Sequence, residues 1–429
     1  MTNEIFDTAA ILVVLAAFFS YINHRLLRLP PSIGLMLSGL VASLVVLAVG
    51  ALAFDNISVL RQNVQGAVES VHLPELLMHG MLSFLLFAGA LHMNLDDLLA
   101  EKVPILSLAT AGVLISTAII GCGSYWLFQL AGITIALPYC LVFGALISPT
   151  DPIAVLGIMK TAGAPKRLEV KVAGESLFND GIGIVVFSVL LATAVGSDPE
   201  QMNLVSIAGM FLTEVVGGVG LGLVAGLAVY QAMKTVDEPN LEMLLSLALV
   251  MGITAIAFAL HTSAPLACVV AGLFIGNHGR RFAMSDRVTE ALDLFWSFTD
   301  HTLNSILFLF LGLEVWVLTY EPRSLSAVAL MIPLTLLGRL VCVWIPVRLL
   351  RRRYDLVPGT VSILTWGGLR GGISVALALS LPPFEGRDAV LTATYGIVVF
   401  SILVQGLTIG SVIRRVGGGA GTPSDLHTQ

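Results

Sequence analysis

Residues 148–155 read Ser-Pro-Thr-Asp-Pro-Ile-Ala-Val, and they interrupt an apolar run over 134–159 that is otherwise long enough to cross a bilayer. Proline has no amide hydrogen to donate and disfavours α geometry in the residue before it. Pro149 and Pro152 therefore predict a helix break near Thr150. Prolines alone would account for a plain kink. With Thr150 and Asp151 between them, the break reads as an ion site, where unwound carbonyls and half-helix ends are offered to a cation.

The composition around this segment is that of a membrane protein. Of 429 residues, 56% are hydrophobic and only 12% are charged, half the charged fraction of a soluble domain and too few to coat so large a core. A bilayer removes the problem, because apolar side chains can then face outward. The net charge of −6 decides nothing, since the placement of charges matters more than their sum. Cys122, Cys140, Cys268 and Cys342 sit in apolar runs without ligand-like spacing, so they read as packing residues rather than a metal site or disulfide framework. The acidic start, MTNEIFD, lacks the basic region of a signal peptide, and no cleavage is expected.

Apolar runs predict an all-α polytopic fold of about thirteen transmembrane helices, over 9–27, 31–53, 74–95, 103–130, 134–159, 171–195, 203–232, 241–260, 263–277, 299–319, 326–349, 358–381 and 389–413. Pro30-Pro31 marks the start of the second. With the N-terminus outside, 17 of the 22 Lys and Arg residues fall in inner loops, from Arg25 to Arg415. Three, Arg61, Arg323 and Arg387, fall in outer ones. That asymmetry obeys the positive-inside rule and puts the C-terminus in the cytoplasm. Residues 1–415 read as one transmembrane domain, with six-helix repeats of opposite orientation over 9–195 and 241–413, a linker helix over 203–232, and a short tail over 416–429. Loops 54–73 and 278–298 are the longest and have room for short amphipathic pieces.

Arg339 and Arg370 lie inside spans, as do Asp151, Glu175, Asp180 and Glu214. Ionisable groups cost at least a few kcal/mol at the bilayer centre, so they line ion paths or pair with one another. At 1.5 Å per residue, Asp151 and Asp180 both lie about 14 Å from the cytoplasmic side, near the midplane, with Arg339 and Arg370 at similar depth. Along GESLFNDGIGIVVF (174–187), helical periodicity puts Ser176, Asp180, Gly183 and Phe187 on one face, with Asn179 beside it. Glu175 then points about 140° away from Asp180, towards another wall. Gly181 and Gly183 would let a second backbone come close. The Gly-rich segment WGGLRGGISVAL (366–377) around Arg370 is a candidate second broken helix. Gly218, Gly222 and Gly226 read as a helix-packing stripe. Glu214, Asp300 and Glu314 remain open as functional or peripheral groups, and His79 and His92 as candidate pH-sensitive residues without visible partners.

SPTDP, GESLFND and GGLRGG, in that order on matching helices, together with LLFAGALHMNLDDL (85–98), resemble the bacterial and archaeal Na+/H+ antiporters of the monovalent cation/proton antiporter-1 family, relatives of the eukaryotic Na+/H+ exchangers. The resemblance runs over nearly the whole chain. It implies that Asp180 alternates between cation and proton, with Asn179 as the partner associated with electroneutral exchange. Thr150 and Ser176 would supply further oxygens to Na+. Asp151 would stabilise the crossing of the broken helices, and Arg370 would neutralise their facing ends. Glu175 and Arg339 would form a structural ion pair. It also implies a homodimer in the plasma (inner) membrane, with pH and sodium homeostasis as its task. One departure stands out. Some relatives carry an acidic residue in the third-helix segment, where this chain reads Phe87-Ala88-Gly89-Ala90-Leu91-His92.

The expected activity is therefore secondary active antiport of Na+ (or Li+) for H+, with K+/H+ or broad monovalent exchange as the alternative. A passive cation channel would carry current without obligatory proton counterflow. An intramembrane aspartyl protease would need two aspartates within reach of each other, and the arginines and Glu175 at the same depth fit a transporter better. The expected partners are monovalent cations, protons and lipid. Enzyme activity, a resident cofactor and nucleic-acid binding are not expected.

Overall fold

The computed structural model describes residues 2–53, 80–196, 204–313, 322–351, 354 and 359–417. His79, Glu314, Arg61 and the 54–73 loop lie outside the described residues, as does the tail beyond 417. The described chain is almost wholly helical, and its one isolated β-bridge joins Asp151 to Leu369. Seven helices are long and apolar enough to cross a bilayer on their own, and shorter apolar helices accompany them.

Helix α1 (Thr2–Ile22) ends in a π-helical turn, and α2 starts at Pro31 and runs to Ala53. Helix α3 (Leu82–Leu91) is followed by α4 (Leu95–Ala100), whose N-cap Asn94 accepts from the amides of Asp96 and Asp97. Helix α5 (Lys102–Leu130) packs on α6 (Leu137–Ile147), which stops where Ser148 begins the double-proline segment. The chain resumes as α7 (Ile153–Thr161) and then as the long α8 (Lys166–Val195). Helices α9 (Leu204–Met233) and α10 (Pro239–Leu260) follow, and then α11 (Ala264–Phe274), which starts on the Ser263 cap and a proline in its first turn. Helix α12 is Asp286–Leu313 and α13 is Pro322–Leu350. A second interrupted helix consists of α14 (Thr360–Trp366) and α15 (Gly372–Leu379), and α16 (Arg387–Arg415) closes the bundle.

The loop expected over 278–298 is shorter than the apolar runs implied. Residues 286–298 are the first half of α12 rather than part of a loop. Polar residues such as Asp286, Arg287 and Glu290 hide this half from a hydropathy reading. Its other face buries Val288, Leu292 and Trp296, the i, i+4, i+8 pattern of an amphipathic helix.

Close packing follows the small residues. The Gly218 and Gly222 positions of α9 face the backbone carbonyls of Ser263 and Ala267, and Gly226 faces Ala271, so α9 and α11 meet along the expected stripe. Large apolar side chains on the far sides of α9 and α10, among them Val205, Val216, Val224, Leu244 and Met251, are exposed. In water that surface would be costly; against lipid tails it is the ordinary outer face of a spanning helix. Cys140, Cys268 and Cys342 are buried, Cys140 and Cys342 within apolar core clusters of their own neighbours and Cys268 in a third.

Candidate ion site at the helix crossing

The two interrupted helices cross at their breaks. The Asp151 amide donates to the Leu369 carbonyl at 2.8 Å, so the unwound strands satisfy each other's backbone groups. Asp151 lies at the N-terminal ends of both continuing halves. Its Oδ1 accepts from the Ile153 amide at 2.9 Å, at the start of α7. At the start of α15, a methyl group on Gly371 would lie 2.7 Å from the Asp151 Cβ. Only glycine permits that approach. Arg370 does the converse. Its guanidinium donates to the Ser148 and Pro149 carbonyls at the C-terminal end of α6, the latter at 2.9 Å, and its amide donates to Ser401 Oγ at 2.8 Å. Helix N-termini carry partial positive charge and C-termini partial negative charge. Each side chain therefore stands at helix ends of opposite sign to its own charge.

Helix α8 passes beside this crossing. Gly183 lies against the Pro149 ring, which brings the polar face of α8 level with the break. Asn179 Nδ2 donates to Thr150 Oγ1 at 2.8 Å, and Thr150 Oγ1 is 3.1 Å from Ser176 Oγ. The Thr150 amide points to Asn179 Oδ1 at 3.4 Å. These three contacts hold two hydroxyl oxygens and an amide in one buried cluster. Asp180, one position on, is 6% exposed. Its carboxylate has no hydrogen-bond or ion-pair partner among the described residues. It faces a cavity of about 700 Å³, which Thr150, Asp151, Asp300, Asn304 and Ser374 also line. The same cavity reaches the solvent-exposed Lys166–Asp97 ion pair, at 2.9 Å, near the helix ends.

Glu175 is turned away from this cavity. It receives two guanidinium nitrogens of Arg339, one of them Nη2 at 3.0 Å, and Arg339 Nε donates to the Leu364 carbonyl at 3.1 Å. The helical-wheel separation of Glu175 from Asp180 is thus realised as one paired carboxylate and one free one. The structure brings Asp151, Thr150, Ser176, Asn179, Asp180 and Arg370 together, with the Glu175–Arg339 pair behind them.

Several polar contacts escaped the sequence reading. Asn304 Nδ2 donates to the Asp300 backbone carbonyl at 2.9 Å and to Asp300 Oδ1 at 3.0 Å, an i, i+4 spacing that a helical reading of the 299–319 run could have flagged. Lys171, expected in an inner loop, is 1% exposed and pairs with Glu101 at 3.2 Å. His92, without a visible partner in sequence, has Nδ1 2.8 Å from the Ala88 carbonyl and Nε2 3.4 Å from Asp293 Oδ1, which Arg280 also contacts. Partners as far apart in sequence as His92 and Asp293, or Lys171 and Glu101, have no local signature. Glu214 is half-buried on α9, and its backbone carbonyl accepts from the Ser263 amide at 3.3 Å.

A crossing of two interrupted helices, with a free carboxylate beside it at the end of a cavity, defines a class of secondary transporters. The family model described as sodium/hydrogen exchanger, transmembrane, matches residues 13–415, and the chain belongs to that family. It is 46% identical over 417 residues to the Na(+)/H(+) antiporter NhaP of Pseudomonas aeruginosa, covering 96% of this chain and 97% of that one. It is 35% identical to the Na(+)/H(+) antiporter NhaH of Halobacillus dabanensis, covering 95% and 97%. The fold matches the sodium proton antiporter MjNhaP1 of Methanocaldococcus jannaschii with a TM-score of 0.75, over 97% of this chain and 100% of that one, at 18% identity.

Proposed function

We propose that the protein is a secondary active antiporter that exchanges Na+ or Li+ for H+ across the plasma membrane, in sodium and pH homeostasis. One observation carries the reading: Asp180 is a buried carboxylate with no partner among the described residues, facing a cavity beside the Thr150–Ser176–Asn179 cluster. A carboxylate deprived of bulk water needs a compensating charge. At Asp180 that charge is either a proton or a small cation held also by the Thr150 and Ser176 hydroxyls. The two cannot be held together, so loading one releases the other. The loaded site is neutral and can be carried past the barrier between the two sides, whereas the bare anion is costly to move. Asn179 in place of a second acid leaves one charge to be exchanged for one, which favours electroneutral turnover. The names of the relatives support Na+ as the cargo, and K+ exchange is the alternative because the ligand set lacks an acid in the third-helix segment. Thirteen spans, an outside N-terminus, a cytoplasmic C-terminus and a homodimer complete the reading.

Proton flux in proteoliposomes loaded with a pH-sensitive dye tests it. Addition of Na+ or Li+ is expected to collapse an imposed pH gradient, and Asp180→Asn to abolish the response. A response to K+ alone would change the cargo and keep the carrier. Full exchange by Asp180→Asn would remove Asp180 from the centre of the mechanism.

A further inference from the structure

Helix α12 forms the wall of the cavity that the proposed carrier does not account for. Asp300 and Asn304 lie one turn apart on it, and Leu307, a further turn along, packs into the space beside Gly372 at the start of α15. This row therefore faces the crossing. Asn304 commits its amide hydrogens to Asp300, one to the backbone carbonyl and one to Oδ1, at 2.9 and 3.0 Å. The reverse orientation would set its carbonyl against a carboxylate, so the amide is fixed. Its Oδ1 is then a buried acceptor with no donor among the described residues, on a side chain 5% exposed. Asp300 itself has no Lys or Arg partner among the described residues. A carboxylate with no Lys or Arg partner and a carboxamide oxygen with no donor, both hard and both on the wall of the Asp180 cavity, are the donor set of a monovalent cation rather than of an anion.

We propose that Asp300 and Asn304 form a second cation site, a relay at which a monovalent cation exchanges part of its hydration shell for protein oxygens before it reaches Asp180. The inference rests on the antiporter reading above. Asp300 supplies charge, and Asn304 both positions that carboxylate and offers its own oxygen. A cation leaving the relay for Asp180 stays within one cavity throughout.

The test measures exchange against Na+ concentration in proteoliposomes, for the wild-type protein, Asp300→Asn, Asp300→Glu and Asn304→Ser. The expected result is an apparent KM for Na+ raised about tenfold in Asp300→Asn, with the maximal rate within about twofold, and KM largely restored in Asp300→Glu. Unchanged KM in Asp300→Asn protein of wild-type thermal stability would overturn the relay. A fallen maximal rate with unchanged KM would overturn it equally, since that is the signature of a structural role. Thallous ion alone supplies an independent readout by electron microscopy. Density at Asp300 that persists in Asp180→Asn and vanishes in Asp300→Asn supports the relay; density confined to Asp180 overturns it. Asp180→Asn exchange, run in parallel, fails or holds independently of these results.

Discussion

Glu175 and Asp180 are five positions apart on α8 and have opposite fates. Glu175 is 1% exposed and held by Arg339 through two nitrogens, so its charge is cancelled in place. Removing one member of such a pair leaves an uncompensated charge in the bundle, at a cost of about 3–5 kcal/mol. Glu175→Gln and Arg339→Gln are each expected to lower thermal stability in detergent by that order. The double replacement is expected to lose less than the two single effects combined, which a thermal-unfolding cycle measures. Asp180→Asn is expected to do the reverse, abolishing exchange with stability retained or raised, because it removes a charge that nothing among the described residues offsets.

At the scale of elements, the crossing depends on two helices stopping in register. Backbone that leaves the helix in hydrocarbon must find partners. Here Asp151 and Leu369 find each other, Arg370 takes the Ser148 and Pro149 carbonyls, and Gln405 Nε2 donates to the Trp366 carbonyl at 3.0 Å. Arg370→Ala strips the donors from the end of α6 and leaves two buried carbonyls unmet, at about 1–3 kcal/mol each. That variant is expected to lose both stability and exchange, measured together by thermal unfolding and dye-reported flux. Of these features, the first break was legible in Pro149 and Pro152. The second was legible only as a run of glycines around Arg370, because glycine permits unwinding without dictating it.

For the whole molecule, one cavity with one carrier predicts competition. If protons and Na+ share Asp180, each falls in occupancy as the other rises. The apparent KM for Na+ is expected to fall as pH rises, by up to about tenfold per unit while the carboxylate is mostly protonated, and to level off once it is not. A series of Na+ titrations in proteoliposomes at stepped pH checks this. A KM independent of pH would mean that proton and cation use separate groups. The bundle's outer surface bears on the same function. Exposed apolar faces on α9 and α10 hold these helices in lipid while Thr150 at the break and the polar groups of α8 and α15 gather inside.

The membrane class, the break at Thr150 and the face shared by Ser176 and Asp180 follow from composition, proline chemistry and helical periodicity, all of which are local properties of the chain. The start of α2 at Pro31 and the glycine stripe of α9 are local in the same sense. The pairing of Glu175 with Arg339 entered as an implication of family resemblance, since 164 positions separate the two. Which groups stand behind the site and which line it is a matter of packing. So are the burial of Lys171 against Glu101, the placing of His92 beside Asp293, and the arrival of Asp300 and Asn304 in the cavity of Asp180. Each depends on how two distant helices are rotated about their own axes. That rotation is set by the summed contacts of the bundle, which no single segment of sequence contains.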